Sequence, residues 1–417
     1  MTGQKDVIVV GGGPVGMLTA LALAQTGAKV CVLEQEPQII NSPRAAVYFP
    51  STLLILEELG LLDELLEIGF INRNFGTHIP EFVYSSVVVT EPIEGIPYDY
   101  QLHAGQHDVA RVAMEHAKKL GVEVLFNNRV TGFEDGPDGV TLAVETPDGE
   151  AQFNTKWLVA ADGARSAIRN LAGIEFAGHT WPERFVATNV KFDFRQLGYE
   201  QANFVCDPVN MAVIAQLDRE GLWRCTYMED SALPAESCEE RIHQRYEYFM
   251  QGSKDYEIVS WSPYMLHQRA GETLHQGHVL LVGDAAHATN PCGGLGLTSG
   301  LWTGVVCADV LGAVLRGEED AGILDRFSDE RRRIFWEVVT PAATENKRML
   351  QESDPEQRQQ DLAAIKALNE NPESGAMLML FAYKVIGDVL RQDSRWKDAD
   401  PTPRVALDIA GRQGQIH

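Results

Sequence analysis

The first residues whose types and spacing could do chemistry are three glycines near the N-terminus. Gly11, Gly13 and Gly16 match the pattern GxGxxG, with Pro14 and Val15 between them, after an apolar run and before a segment of helical periodicity. Glycine lets the backbone approach a pyrophosphate closely, and the amide groups of a helix N-terminus attract its negative charge. The pattern therefore predicts a dinucleotide-binding turn between a strand and a helix.

An acidic residue stands where such a turn needs one. Glu34 ends a second apolar run and lies 18 residues after Gly16. Its carboxylate is expected to accept hydrogen bonds from ribose hydroxyls, and its charge disfavours a 2′-phosphate at the same place. These residues favour a dinucleotide over a purely structural turn, but they suit FAD and NAD equally well.

A second glycine-rich segment follows a buried strand in the C-terminal half of the chain. Asp284 stands at the end of this strand, and Pro291, Gly293, Gly294 and Gly296 precede a long apolar helix. Ligands of α/β sheets bind at the carboxyl ends of the strands, where backbone N–H groups can contact them. A connection whose glycines serve only packing is the alternative, and the acid at the strand end favours a binding site.

The elements around these motifs indicate the fold class. Strand-like and helical segments alternate in the first half of the chain, whereas residues 185–228 contain several short alternating strands. We therefore predict an α/β protein with a Rossmann-like domain, an inserted and mostly antiparallel β-sheet, and a helical C-terminal tail.

Composition narrows the range of partners. The chain has 417 residues and a formal net charge of −24, so nucleic acid and anionic membrane surfaces are disfavoured. The six cysteines form no CxxC pattern, so we expect reduced thiols and no metal site. No signal peptide or membrane span is recognised, which predicts a cytoplasmic protein and leaves monomer or homodimer open.

Three segments together carry a family resemblance. The glycine turn with Glu34, the segment 162–169 (DGARSAIR), and the segment 283–294 with GDAAH and PCGG resemble the single-component FAD-dependent aromatic hydroxylases. That family includes the para-hydroxybenzoate and hydroxyphenylpropionate hydroxylase types. The resemblance covers roughly the first 350 residues in order and spacing.

The resemblance implies bound FAD and assigns its contacts to residues of all three segments. These are Gly11, Gly13, Pro14, Val15, Gly16, Glu34, Gln35, Arg44, Gln106, Val130, Asp162, Asp284, Pro291, Gly294, Leu295, Gly296 and Leu297. Arg44 and Gln106 would lie near the pyrophosphate and the flavin side chain, and Asp284 would bind the ribityl chain or the pyrophosphate. Residues 294–297 would lie against the flavin pyrimidine ring.

The resemblance also implies a reaction. NADPH or NADH would reduce the flavin transiently in a shared cleft, since no second GxGxxG occurs, and O2 would form a C4a-hydroperoxide that hydroxylates a phenol-like aromatic substrate. A flavin-dependent reductase, a quinone-type hydroxylase and a non-catalytic escort-type binding protein are the alternatives on the same fold. Thr298 and Thr303 stand where the family usually has Asn and Asp.

The inserted sheet is expected to face the flavin and bind the substrate. Along the run LWRCTYM, Trp223 and Tyr227 alternate with Arg224 on opposite faces. Tyr227 or Arg224 is the candidate for binding or deprotonating a phenol, and Trp223 for lining the site, although Trp223 and Tyr227 fit core positions at least as well. The resemblance adds Val47 and Tyr48 beside the flavin.

The expected domain boundaries divide the chain discontinuously. The FAD-binding domain is predicted to comprise residues 1–75, 101–180 and 275–350, the substrate-binding domain 76–100 and 181–274, and the C-terminal helical segment 351–417. Three further residues receive structural interpretations: His287 as a packing residue, His103 as a surface residue or one just outside the site, and Arg331 as part of a solvated helix face.

Overall fold

The computed structural model describes residues 4–40, 46–89, 96–371, 373–390 and 394–402. The strands in this part of the chain are β1 (Lys5–Val10), β2 (Val30–Leu33), β3 (Val47–Tyr48), β4 (Phe70–Asn72), β5 (Asn74–Ile79), β6 (Tyr84–Val89), β7 (Gln101–His103), β8 (Glu123–Leu125), β9 (Arg129–Gly136), β10 (Gly139–Thr146), β11 (Gly149–Ala160), β12 (Phe176–Lys191), β13 (Ala202–Val205), β14 (Ala212–Gln216), β15 (Leu222–Asp230), β16 (Glu257–Gly271), β17 (His275–Gln276), β18 (Val279–Leu281) and β19 (His287–Ala288). The α-helices are α1 (Pro14–Gln25), α2 (Pro50–Glu58), α3 (Leu62–Ile68), α4 (Gln106–Lys119), α5 (Ala167–Leu171), α6 (Cys238–Phe249), α7 (Leu295–Arg316), α8 (Ile323–Ile334), α9 (Thr340–Gln351), α10 (Pro355–Glu370) and α11 (Ser374–Phe381).

A mixed sheet with parallel central strands forms the first core. Its order is β17-β18-β11-β1-β2-β8, with β9 and β10 extending from β11. Strands β18, β11, β1, β2 and β8 run parallel. The last four residues of β1 and all of β2 are continuous apolar runs because α1, α4 and α7 share their core. The carboxyl ends of these neighbouring strands therefore meet at one edge of the sheet.

A second, mostly antiparallel sheet has the order β19-β16-β12-β15-β14-β13-β5-β6. One face of this sheet packs on α6, and the other contributes to a cluster with residues of α9 and α10. The prediction of an α/β fold with an inserted, mostly antiparallel sheet and C-terminal helices is confirmed. The predicted boundary between residues 180 and 181 falls inside β12, so one continuous strand runs through it.

A small sheet of β3, β7 and β4 links the two larger ones through a buried histidine. His103 Nδ1 donates to the carbonyl oxygen of Gln216, 2.8 Å away, and Nε2 lies 3.2 Å from Nδ2 of Asn72. His103 is fully buried, so the interpretation as a surface residue is wrong. Burial lowers its pKa to about 4, which keeps the ring neutral.

Helix α7 crosses α1 closely because two glycines of α7 lie at the contact. A Cβ added at Gly304 would overlap Oγ1 of Thr19, and one at Gly312 would lie 2.7 Å from Cγ2 of Thr26. This helix of 22 residues is long and apolar enough to cross a membrane, but 83% of its most apolar window is buried inside the protein. Burial of that extent is typical of the core helix of a globular domain.

Candidate functional site

The three predicted turns meet at the carboxyl edge of the first sheet. The amide of Gly11 donates to Leu33 O at 2.9 Å, and that of Ala161 to Val10 O at 2.8 Å. The amide of Val282 donates to Ala160 O at 2.9 Å. The strand ladder thus continues into each turn, which fixes the positions of the turns relative to one another.

Glycines allow the turns to touch. Gly11 has a φ of +114°, and a Cβ there would overlap the carbonyl oxygen of Ala161. A Cβ at Gly283, in the turn of Asp284, would lie 3.0 Å from Cγ1 of Val15. The first turn is therefore in contact with both of the others.

Open space lies in front of the first helix. A Cβ built at Gly13 would meet no atom within 4 Å, and no side chain caps the N-terminus of α1. The first amide groups of this helix, with the positive end of its dipole, are available to an anionic group. The cradle thus suits the pyrophosphate of a dinucleotide.

Glu34 stands beside this cradle. One carboxylate oxygen accepts a hydrogen bond from the amide of Gly12, and the other lies 2.8 Å from the amide of Glu36. These bonds hold the carboxylate against the glycine turn. Its remaining acceptor capacity is available to ribose hydroxyls, as the sequence predicts.

The remaining residues predicted to contact the first half of the cofactor differ in their surroundings. Gln35 is exposed just after β2, and Gln106 is half-buried at the start of α4. Val130 is buried in the sheet core and pairs with Val144. Arg44 lies outside the described residues.

The second turn holds an incompletely satisfied carboxylate. Asp162 Oδ2 accepts from the amide of Ile168 at 3.1 Å, whereas Oδ1 is buried and has no partner in the described part of the chain. Burial raises the pKa of Asp162. Arg169 ties this turn to the third one, because Nη1 donates to Ala285 O and Nη2 to Ala164 O, each at 2.9 Å. The free oxygen of Asp162 suits a sugar or ribityl hydroxyl.

A buried glutamine positions the loop of residues 291–297, here called the cofactor loop. Gln268 Oε1 accepts from Thr289 Oγ1 at 3.0 Å and lies 3.2 Å from Asn290 Nδ2, while Nε2 donates to Thr340 Oγ1 at 2.8 Å. Asn290 Oδ1 in turn accepts from the amide of Cys292 at 3.1 Å. Sequence reasoning missed Gln268, because a single polar residue on a strand carries no motif.

The cofactor loop lies against the turn that follows β3. Gly294 has a φ of +65°, and a Cβ there would lie 2.8 Å from the ring of Phe49. Helix α7 begins immediately afterwards at Leu295, which is buried in the core, while Pro291 and residues 296–297 are half-buried. The loop backbone and the residues around Phe49 therefore pack against each other.

Comparison with known proteins decides the family. A family model described as an FAD binding domain matches residues 4–342. Para-nitrophenol 4-monooxygenase from Pseudomonas sp. (strain WBC-3) is 41% identical over 372 residues, covering 86% of this chain and 91% of that protein. The 6-hydroxy-3-succinoylpyridine 3-monooxygenase from Pseudomonas putida (strain DSM 28022 / S16) is 40% identical over 366 residues, covering 87% and 93%. The chain belongs to the single-component FAD-dependent aromatic hydroxylases.

Solved structures agree with this family. The crystal structure of p-nitrophenol 4-monooxygenase from Pseudomonas putida DLL-E4 matches with a TM-score of 0.88 at 38% identity, covering 92% of this chain and 98% of that one. The ternary complex of aklavinone-11 hydroxylase with FAD and aklavinone matches with a TM-score of 0.74 at 26% identity, covering 84% and 70%. This hydroxylase is an aromatic monooxygenase that binds FAD, and the reductase and escort alternatives do not fit its family.

Two of the predicted substrate residues of the hydroxylase lie on the wrong face of the second sheet. Trp223 and Tyr227 are fully buried in a cluster with residues of α6, such as Tyr246 and Phe249. Because side chains alternate along a strand, their neighbour Arg224 points to the other face. The prediction that Trp223 and Tyr227 contact the substrate is therefore corrected, and both are core residues.

The other face of β15 turns toward the cofactor loop. Met228 and Phe185 belong to one cluster with Cys292 of that loop. Arg224 shares this face and is half-buried, with Nε and Nη2 each 3.1 Å from Oδ1 of Asn189. Of the two predicted catalytic residues, only Arg224 is on the face of the sheet that packs against the cofactor loop.

The same alternation separates Val47 from Tyr48. Tyr48 is 1% exposed and packs in the first core, where burial raises its pKa. Val47 is half-buried and points the other way, next to the turn that contacts Gly294. The prediction for Tyr48 is corrected, since its side chain belongs to the core, and Val47 remains a candidate for the cleft.

Thr303, which departs from the family pattern, belongs to a buried hydrogen-bond network that includes an arginine. Thr303 Oγ1 lies 2.8 Å from His287 Nε2 and 3.1 Å from Arg331 Nε, and it donates to Ser299 O. Arg331 is fully buried, so its assignment to a solvated helix face is wrong. Its Nη1 donates to the carbonyl oxygens of residues 385 and 386, and burial lowers its pKa to about 9. The packing interpretation of His287, whose pKa burial lowers to about 3, agrees with this network.

Proposed function

We propose that this hydroxylase uses NAD(P)H and O2 to hydroxylate a phenol-like ring. The observation that carries the proposal is the contact of three turns around one cradle, beside a sheet face that bears Arg224. Bound flavin supplies the redox chemistry, accepting a hydride and activating oxygen. The chain binds and orients the reactants and excludes water.

The proposed site for the nicotinamide cofactor is a local basic cluster in an acidic chain. Burial and then the charges of Arg269, Arg165 and Arg169 lower the pKa of His267, so these four groups lie close together. Arg165 and Arg169 belong to the segment of Asp162, whereas His267 and Arg269 belong to β16. A cationic cluster beside the cofactor turns suits the phosphates of a transient dinucleotide.

The cluster gives a kinetic prediction. Replacement of Arg269 by Met should raise the KM for NAD(P)H about tenfold, because one charge-assisted phosphate contact is lost. FAD content and the KM for the aromatic substrate should stay unchanged. The exposed Arg195, which pairs with Asp193, provides the matched control as Arg195→Met. Equal KM values in the two variants would refute the placement.

The names of the relatives suggest the position of attack. Both the 4-position of para-nitrophenol and the 3-position of 6-hydroxy-3-succinoylpyridine lie opposite a ring hydroxyl. We propose that the substrate of this chain is likewise a six-membered aromatic ring with a hydroxyl group, and that oxygen is added at the carbon opposite it. An unsubstituted carbon then loses a proton, whereas a substituent at this carbon leaves with the bonding electron pair.

The covering helices would keep water from this ring. A Cβ at Gly293 of the cofactor loop would lie 3.5 Å from Nδ2 of Asn346 in α9, and Leu350 of the same helix packs in the cluster of Phe185 and Met228. Helix α9 therefore covers the face of the sheet that is proposed to bind the substrate. Exclusion of water from the site protects a reactive flavin from hydrolysis and from NAD(P)H oxidation that is uncoupled from hydroxylation.

The deciding experiment measures products. The purified holoenzyme is supplied with NADPH or NADH and a panel of phenols and hydroxypyridines, with and without a substituent opposite the hydroxyl. We expect substrate-stimulated NAD(P)H oxidation, one 18O atom from 18O2 in the product, and little peroxide. Equal NAD(P)H oxidation without oxygen, or peroxide as the sole oxygen product throughout the panel, would refute the proposal.

A further inference from the structure

Arg224 has a buried donor that the described part of the chain leaves unsatisfied. Nε and Nη2 both donate to Asn189, whereas Nη1 is removed from solvent and has no hydrogen-bond partner among the described residues. A buried donor without a partner destabilises the fold, so each instance calls for an explanation. Burial also lowers the pKa of Arg224 to about 10.

Two arginines at the opposite face of this sheet, Arg184 of β12 and Arg241 of α6, show the contrast. Arg184 and Arg241 both pair with Glu229, at 2.6 and 2.8 Å, so each guanidinium has a carboxylate partner within the protein. Arg224 makes no ion pair with any described residue, and its guanidinium donates only to the neutral amide of Asn189 in that part of the chain. Its positive charge therefore has no counter-ion among the described residues.

The position of Arg224 agrees with a ligand contact. Gln216, which is in register with the residue before Arg224, accepts a hydrogen bond from His103, and His103 pairs with Val47. Four residues after Arg224, Met228 contacts the cluster that includes the cofactor loop. Arg224 thus lies between β3, which carries Val47, and the cofactor loop.

We propose that Nη1 of Arg224 donates a hydrogen bond to a negatively charged oxygen of the aromatic substrate, with Asn189 as the positioning residue that aims it. This inference rests on the proposed function, because the ligand is the ring that is hydroxylated. The oxygen belongs to the ionised ring hydroxyl or to an acidic substituent, and both offer the same acceptor chemistry.

The contact has a chemical consequence. A guanidinium beside a phenolate in a cavity of low dielectric stabilises the ionised form of the bound ring. An ionised ring carries more electron density than a neutral phenol, and it is therefore the better partner for an electrophilic oxygen. Arg224 would select ionisable rings over neutral arenes of the same size.

The test is equilibrium binding of para-nitrophenol to the oxidised holoenzyme, because the visible absorbance of the nitrophenolate ion reports the ionised fraction of the bound ligand. The wild type should bind the anion and lower the apparent pKa of the ligand. Arg224→Met should weaken binding about tenfold to hundredfold and abolish that shift. Arg224→Lys should retain part of the shift in the ligand pKa.

A second variant keeps the arginine. Asn189→Asp would give Arg224 a carboxylate partner, and it should weaken binding of the anion while FAD content and melting temperature stay near the wild-type values. Phenol and benzoate separate the two sources of the oxygen, since phenol has only the ring hydroxyl and benzoate has only an acidic substituent. Arg195→Met again serves as the surface control.

The outcomes separate this inference from the proposed function. Wild-type affinity and ionisation of the ligand in a folded Arg224→Met holoenzyme would overturn the role of Arg224, even if hydroxylated products form. A wild type that binds nitrobenzene and phenol but not the anion would overturn it as well. Absence of any hydroxylated product would instead refute the proposed function.

Discussion

At the scale of single residues, Gly13 is the sharpest indicator of the cofactor. Its α-carbon faces open space, whereas a Cβ at Gly11 would overlap the backbone of Ala161. The positive φ of Gly11 favours a glycine at that position. The φ of Gly13 is −72°, which other residues also adopt, so backbone conformation does not explain the second glycine. A close approach of the pyrophosphate is the physical reason for a glycine there.

Replacement of Gly13 by Val should therefore separate folding from cofactor binding. The apoprotein is expected to keep its melting temperature within a few degrees, because nothing lies within 4 Å of the new Cβ. FAD affinity should fall at least about tenfold, since the side chain occupies the place of the phosphate. Fluorescence titration of apoprotein with FAD measures this, and undiminished affinity would disprove the placement.

A buried neutral histidine makes stability depend on pH. The pKa of His103 is lowered to about 4, whereas the unfolded chain has an ordinary value of about 6.5. Between these values the unfolded state binds the proton and the folded state does not. Stability therefore falls as the pH drops from about 6.5, by about 2 kcal/mol at about pH 5.

The variant His103→Asn tests this effect. Its amide can still donate to Gln216, but it does not titrate. We expect the loss of unfolding free energy between about pH 7 and about pH 5 to be about 2 kcal/mol smaller than in the wild type, measured by urea unfolding. The variant His243→Asn, at an exposed position, supplies the surface control.

At the scale of elements, the crossing of α1 and α7 joins the two ends of the cofactor site. Each helix starts directly after one of the glycine turns, and the helices touch where Gly304 faces Thr19. Thr19 Oγ1 donates to Val15 O at 2.7 Å, so rotating it away would break a bond in the turn of α1. The spacing of the two turns thus depends on this contact.

Gly304→Ala is expected to push the helices apart. Overpacking here should lower the unfolding free energy by about 1–3 kcal/mol and weaken FAD binding. Adding Thr19→Ala removes the colliding oxygen, and the double variant should recover most of both losses. The two quantities are obtained from urea unfolding and FAD titration. Failure of the second substitution to rescue the first would exclude the helix contact as the cause.

The sequence predicts an element only where a local pattern of residues determines it. The glycine turns and acidic residues sit at strand ends, and parallel order alone brings such ends together. The alternation of faces along β15 is predictable, but only packing against α6 reveals which face is buried. Arg331 had an overlooked signal, since it lies at helical spacing from the buried Phe327 and Ile334. Gln268 had none.

At the scale of the whole molecule, residues near the C-terminus support α7, the helix that begins at the cofactor loop. Asp309, in the middle of α7, accepts hydrogen bonds from Arg395 at 2.7 Å and from Trp396 Nε1 at 2.7 Å. The ring of Trp396 also contacts Trp302 at 4.9 Å between centroids. Arg331 holds the carbonyl oxygens of residues 385 and 386 in the same region. This C-terminal segment is therefore part of the support of α7.

Asp309 allows this support to be measured. Burial raises its pKa, and the two donors from the C-terminal segment oppose that effect. Arg395→Met should leave a poorly compensated buried carboxylate and lower the unfolding free energy by about 2 kcal/mol, a value reduced because Arg395 is partly exposed. FAD affinity should fall with it, since α7 begins at the cofactor loop.

A double variant distinguishes charge from packing. Asp309→Asn removes the buried charge but leaves an amide oxygen that can still accept a hydrogen bond from Trp396, so the loss of Arg395 should be tolerated better in this background than beside the native carboxylate. The combination Arg395→Met with Asp309→Asn is then expected to be more stable than Arg395→Met alone. Strictly additive losses would show that the arginine acts through its packing, and that the C-terminal segment supports α7 without the ion pair.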